Sequence, residues 1–195
     1  MEIHLDIART GAQFDQILAL QRANLFDAVN PAERQRSGFV YARHTRALLE
    51  RMAAHLPQVV ALCGDRVVGY TLAMPVAMRD TLPELVPMFA QFDRTLYRGR
   101  PLPGYRYMVG GQICVAREHR GKGLLRRLYQ ETRRRVYPAH ELCVTEVSHR
   151  NPVSLAAHLN MGFEQIASYE DGTDRWEVVA WDLANRDVAN RDGSE

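Results

Sequence analysis

The chain predicts an α/β (α+β) fold: a mixed, mostly antiparallel sheet with one parallel strand pair, flanked by helices. Three observations lead there. Short runs of β-branched and apolar residues alternate with helical-period segments along 195 residues. Residues 59–63 and 67–73 read as strands joined at Gly64-Asp65, a hairpin and hence an antiparallel pair. Residues 105–115 and 142–147 also read as strands, but a helix at 124–136 lies between them. A helical crossover makes the strands it joins parallel.

Taken in order, residues 3–8 alternate Ile3, Leu5 and Ile7 with polar residues, a half-buried strand. Thr10 and Gln13 have capping-box spacing, and Phe14, Ile17, Leu18 and Leu25 then mark a helical face ending near Asn30-Pro31. Tyr41, Thr45, Leu48, Leu49, Met52 and Leu56 mark a second helix. Residues 74–105 form an irregular insert with prolines at 75, 83, 87, 101 and 103 and one expected helix at about 84–97. After the helix at 124–136 and the strand at 142–147 comes a helix opened by Asn151 and Pro152. A closing hairpin, 164–169 with 175–181, turns over Asp171-Gly172. Residues 1–183 are expected to be one domain and the polar stretch 184–195, with Ala-Asn-Arg-Asp twice, a disordered tail.

Composition excludes several classes. Hydrophobic residues make up 46% and charged residues 25%, as in ordinary globular chains. A net charge of +2 creates no general field for polyanions. Cys63, Cys114 and Cys143 are odd in number and lack zinc or disulfide spacing, which points to a reducing compartment. The histidines show no metal-like clustering. The start, Met1-Glu2-Ile3-His4-Leu5-Asp6, lacks a basic-then-apolar leader pattern, and no apolar run nears the roughly 20 residues of a membrane span. The expectation is a cytoplasmic protein with neither membrane nor nucleic-acid partners.

Chemistry concentrates in two motifs. Arg120-Gly121-Lys122-Gly123 sits between a strand and a helix. Glycine permits close approach of backbone to a phosphate, and the helix N-terminus adds partial positive charge. The donors are expected among the N–H groups of residues 120–125, so Arg120, Gly121, Lys122, Gly123, Leu124 and Leu125 are candidate ligand residues. The second motif is Asn151-x-x-Ser154-x-x-x-His158-x-x-x-Gly162-Phe163. Asn151 suits the N-cap, Pro152 the first helical position and Gly162 the stop. Ser154 and His158 stand at i and i+4 and share a face.

At these residues the chain resembles the GNAT superfamily of acyl-CoA-dependent N-acetyltransferases. Residues 113–124, Ile-Cys-Val-Ala-Arg-Glu-His-Arg-Gly-Lys-Gly-Leu, look like its pyrophosphate-binding motif, and Asn151 to Phe163 looks like its second signature. The resemblance implies acetyl-CoA as cosubstrate, no metal, and direct attack by a primary amine. It implies a GNAT-like sheet in which the carboxyl ends of the parallel pair splay to admit pantetheine. Ile113 and Val115 should pair with pantetheine through their main chains, with Cys114 between them. Asn151 and Ser154 join the cofactor set, Asn151 as pantetheine partner, N-cap or both. A homodimer is compatible with it.

The chain departs from the family at His158, where tyrosine is usual. His158 either protonates the leaving thiolate or only packs against pantetheine. Glu118 stands where glutamine or arginine is common, and Leu125 where glycine or alanine is; Leu125 then either presses on the cofactor or turns into the core. Glu146 is the leading candidate for the base that deprotonates the amine, followed by His149 and, more distantly, Glu84. Cys114 invites a covalent reading, but strand cysteines commonly serve as small buried apolar residues. Arg126 or Arg127 could reach a CoA phosphate, while Arg133, Arg134 and Arg135 read as a solvated face. The acceptor is expected to be a small-molecule amine, with a protein N-terminus or lysine as the alternative. A non-catalytic acyl-CoA-binding module is a second reading. A nucleic-acid binder is a third, weakened by the lack of an aromatic platform beside the arginines.

Overall fold

The computed structural model describes residues 2–185. In chain order the elements are β1 (Ile3–Ile7), α1 (Gly11–Ala23), α2 (Pro31–Ser37), α3 (Arg46–Ala53), β2 (Val59–Cys63), β3 (Arg66–Pro75), α4 (Val86–Arg94), β4 (Leu96–Tyr97), β5 (Arg100–Pro101), β6 (Tyr107–Val115), α5 (Leu124–Val136), β7 (Leu142–Ser148), α6 (Pro152–Met161), β8 (Glu164–Glu170) and β9 (Arg175–Asp182). Short 3-10 turns cover Val76–Thr81, Pro83–Leu85, Leu102–Gly104 and Arg117–His119. The sheet pairing is mostly antiparallel, with one parallel pair. The chain forms two compact units. One runs through Pro75 and resumes at Gly110–Val136, and the other comprises Val76–Val109 and the chain from Tyr137.

In the first unit the hydrogen-bonded strand order is β1-β2-β3-β6. β1 runs antiparallel to β2 from Ile3↔Cys63 to Ile7↔Val59, and β2 antiparallel to β3 with an irregularity at Ala61/Leu62. β3 is buried from Val67 to Met74, without the alternation of a half-exposed strand. The cause is that α1 and α5 both pack on it. Val59, Ala61 and Val68 meet Leu124 and Leu128 of α5 in one apolar cluster. Two buried hydroxyls in this layer, Thr71 and Thr132, satisfy each other at 2.7 Å.

Local signals explain the helices. Thr10 and Gln13 cap α1 reciprocally, as their spacing predicts. α1 ends at Ala23, short of the expected Asn30, and Leu25 instead makes an isolated parallel bridge with Val40. Asn30-Pro31 opens the further helix α2, with Asn30 Oδ1 accepting from the Glu33 N–H at 2.9 Å. α2 buries no residue, so no apolar period could announce it. The helix expected from Tyr41 begins at Arg46 behind the Thr45 cap. Tyr41 belongs to a ring cluster, stacked on Phe26 at 5.3 Å and edge-on to Phe39.

In the second unit the order is β6-β7-β9-β8, entered through Tyr107, Met108 and Val109 of β6. The parallel register is Tyr107↔Leu142, Met108↔Cys143 and Val109↔Val144, while β6 runs on to Val115 and β7 to Ser148. β9 is antiparallel to β7 over its whole length and to β8 with an irregularity between Gln165 and Ala167. The insert helix α4 is shorter than expected: a 3-10 turn occupies Pro83–Leu85, and Thr95 ends the helix by returning its hydroxyl to the Gln91 carbonyl at 2.8 Å. β4 and β5 form a small hairpin through Arg98 and Gly99, both at positive φ, the geometry of a tight two-residue turn. No helix among the described residues is long and apolar enough to cross a membrane. Residues 186–195, most of the expected polar tail, lie outside the described residues.

Candidate functional site

The first unit carries the glycine turn. β6 ends at Val115, the 3-10 turn Arg117–His119 follows, and α5 starts at Leu124. Gly121 and Gly123 have φ of 69° and 70°, which disfavour any side chain. A Cβ at either position would meet nothing within 4 Å. The glycines therefore serve backbone conformation, and the turn is open on the side a Cβ would fill. Among the described residues the N–H groups of Gly121, Lys122 and Gly123 have no acceptor. The first N–H groups of α5 have none within the helix either.

The charged side chains around this turn have structural partners. Arg120 folds back, donating from Nε to the Val115 carbonyl at 2.9 Å and from Nη2 to Asn24 Oδ1. Lys122 donates to the Glu118 carbonyl at 2.8 Å, and the Glu118 carboxylate pairs with Arg66. What the turn offers an anion is backbone. Leu124 is a core residue and Leu125 is half-buried. Arg127 donates to the Ile3 carbonyl, and Arg134 and Arg135 both bind Glu131 on the surface.

β6 presents two chemically different edges. The Ala116 N–H donates to the Val68 carbonyl at 2.8 Å, so Ala116 and, by alternation, Cys114 and Gln112 turn their main chains towards β3. Ile113 and Val115 then turn theirs to the opposite edge. Arg120 already occupies the Val115 carbonyl there. The Cys114 thiol is buried beside Tyr70, and burial pushes its pKa up to about 12. It holds its proton at neutral pH, which suits the packing reading and removes the nucleophile.

Sequence reading missed a polar network on the face of β6 that α1 covers. Gln112 Oε1 accepts from the Tyr70 hydroxyl at 2.6 Å and from Gln21 Nε2 at 2.7 Å. Gln112 Nε2 donates to the Ala42 carbonyl at 2.9 Å. Gln21 Oε1 accepts from the His44 N–H at 2.9 Å, and its Nε2 also reaches His44 Nδ1 at 2.8 Å. That pattern leaves the His44 Nδ1 as acceptor. The available signal was position: Phe14, Ile17 and Gln21 are the buried residues of α1, a helical spacing in which the last member is polar.

The second unit carries the remaining candidates. Asn151 is buried and its Oδ1 accepts from the Ser154 N–H at 3.3 Å, so the N-cap role is present. Gly162 takes the left-handed conformation at φ 104° and stops α6. The structure brings Ser154 and His158 together on α6: His158 Nδ1 lies 2.7 Å from the Ser154 carbonyl and 3.5 Å from its hydroxyl. A carbonyl only accepts, so Nδ1 bears a proton. The ring is 3% exposed and edge-on to Phe163, which stacks on Trp181. Burial holds its pKa below the ordinary value.

Glu146 stands on β7, half-buried, with Oε2 accepting from the Tyr169 hydroxyl at 2.6 Å. Burial raises its carboxyl to about 7, against the opposing effect of the Tyr169 hydrogen bond. His149 follows β7 and lies on the protein surface. Its Nδ1 is 3.1 Å from Oε1 of buried Glu177, whose other oxygen accepts from Gln165 Nε2 at 2.6 Å. The register Glu146↔Val178 and Val147↔Glu177 puts the two carboxylates on opposite faces of the strand pair. Glu84 falls in the 3-10 turn Pro83–Leu85.

No family model and no curated protein matches the chain. Solved structures do. The chain is similar to a putative acetyltransferase of the GNAT family from Desulfovibrio desulfuricans, at 14% identity over 93% of this chain and 99% of that one, with a TM-score of 0.60. A putative acetyltransferase from Salmonella typhimurium, solved with its cofactor acetyl-CoA, matches at 16% identity over 94% of this chain and 95% of that one, TM-score 0.58. The ribosomal-protein-S18-alanine N-acetyltransferase from Escherichia coli matches at 9% identity over 93% and 94%, TM-score 0.61. At such identities it is architecture that is held in common, and the fold of this chain is the fold of the GNAT acetyltransferases.

Proposed function

We propose that the protein is an acetyl-CoA-dependent N-acetyltransferase acting by direct attack of a primary amine. The observation that carries this reading is the open turn at Gly121 and Gly123, with unengaged N–H groups, at the end of β6 in a GNAT fold. In this reading the turn and the start of α5 bind the pyrophosphate through N–H groups of residues 120–125. Ile113 and Val115, on the edge of β6 away from β3, pair with pantetheine through their main chains. Cys114 fills the strand between them. Asn151 and Ser154 contribute to the cofactor set from the start of α6.

The proton bookkeeping assigns Glu146 as base. The ammonium form of the acceptor gives its proton to the Glu146 carboxylate; its nitrogen then attacks the thioester carbon. The N–C bond forms, the attacking nitrogen releases its second proton to solvent, the C–S bond breaks, and the thiolate takes a proton from solvent. A carboxyl with a pKa near 7 suits this transfer at neutral pH. His158 fits a lining role, because the acid role needs an imidazolium that burial opposes. His149, oriented by Glu177, is the second candidate for the base. The acceptor is a small amine in the first instance. The Escherichia coli structure, by its name an enzyme for a ribosomal-protein alanine, favours a protein N-terminus as the second reading.

Thiol release from acetyl-CoA across a panel of small amines and peptides with free N-termini tests the activity and separates the two acceptors. Calorimetric titration of CoA into the wild type and Gly123→Val tests the site. The variant should lose affinity at least tenfold while keeping its helical content; unchanged affinity in the folded variant would overturn the phosphate role of the turn.

A further inference from the structure

Tyr169 and Glu146 lie on different strands with β9 between them. The register pairs Glu146 with Val178 and Tyr169 with Trp176, which puts both side chains on one face, a short diagonal apart. The Tyr169 hydroxyl crosses that diagonal to Oε2 at 2.6 Å. Among the described residues Oε1 has no hydrogen-bond partner. One carboxylate oxygen is anchored and the other is left for a ligand.

We infer that Tyr169 is a positioning residue for Glu146: its hydroxyl fixes the carboxylate through Oε2 and aims Oε1 at the acceptor amine. The inference rests on the N-acetyltransferase reading. The surrounding charges give the hydroxyl a task. Asp171, in the turn between β8 and β9, disfavours a second negative charge at Glu146. Burial works against the Asp171 charge too, but hydrogen bonds from the Thr173 hydroxyl, the Asp174 and Thr173 N–H groups and the Trp176 indole outweigh it and hold its pKa at about 2. It is therefore ionised throughout the working range. α6, packed against β7, brings one titratable group, the buried His158. Glu177 of β9 is on the opposite face. Against burial and Asp171, the Tyr169 hydroxyl is the group that favours the carboxylate.

The test compares wild type, Tyr169→Phe and Glu146→Gln in two ways. The first is the pH profile of kcat/KM with two amines of different basicity, so that a limb belonging to the amine moves with the amine and a limb belonging to Glu146 does not. Tyr169→Phe should move the Glu146 limb upward. Each unit of that move lowers activity below the pKa about tenfold, with recovery at high pH and with the KM for acetyl-CoA within about twofold. Glu146→Gln should abolish the limb. The second readout needs no activity: carboxyl-carbon NMR titration of Glu146 in both tyrosine forms. An upward move in Tyr169→Phe supports the inference, and an unmoved titration overturns it. Should the wild type acetylate no amine at all, the enzymatic reading fails while the titration still decides the Tyr169 link.

Discussion

A single carboxyl on β7 shows how far a residue's chemistry depends on neighbours distant in sequence. Glu146 gains its proton affinity from burial and from Asp171, and Tyr169 tempers it. A carboxyl whose pKa is raised on folding contributes most to stability while protonated and loses that contribution as pH climbs from the unfolded value through about 7. Glu146→Gln, which stays neutral, should therefore be more stable than wild type at pH 8, by on the order of 1 kcal/mol after allowance for partial solvation. The two should converge near pH 4. Urea midpoints at both pH values check this. For His158 the expectation follows from the neutral ring: His158→Phe keeps an aromatic partner for Phe163 and should hold turnover within a few fold while altering the Michaelis constant for acetyl-CoA. A loss of turnover of about a hundredfold or more with unchanged Michaelis constant would reinstate the acid role.

Elements of the first unit are tied by amides as well as by apolar packing. Gln112 on β6 holds Tyr70 of β3, Gln21 of α1 and the Ala42 carbonyl ahead of α3. Gln112→Leu has similar size but removes an acceptor and a donor, so the Tyr70 hydroxyl loses its Gln112 acceptor and the Ala42 carbonyl its donor, while Gln21 keeps His44. Each such orphaned group costs about 1–3 kcal/mol. The expected result is a thermal midpoint lowered by several degrees, with residues 41–45 exchanging amide protons faster than in the wild type. Equal midpoints would mean that water replaces the side chain at no cost.

At the scale of the molecule, the relative direction of paired strands follows from connections. Short loops join β2 to β3 and β8 to β9, and those pairs are antiparallel; α5 joins β6 to β7, and that pair is parallel. Both faces of β3 are covered by helices, which erases the alternation that would have marked it as a surface strand. The first unit carries an open glycine turn whose N–H groups have no acceptor among the described residues. The second contributes a carboxyl that titrates near neutrality.

The sequence by itself determined whatever depends on a few consecutive residues. Glycines at 121, 123 and 162 take the positive φ that their positions demand, and Thr10 and Asn151 cap the helices they precede. The parallel pair was legible because a helix between two strands leaves one chain direction for the second. α2 escaped because it buries nothing and so has no apolar period, and α4 was overestimated because its period continues into a 3-10 turn and a hairpin. Only the tertiary structure decided which polar groups meet. Tyr169 lies 23 residues from Glu146, and Gln112 lies 91 from Gln21. Proton affinity and tautomer are set by burial and by partners across strands, and both arise only when the chain has folded.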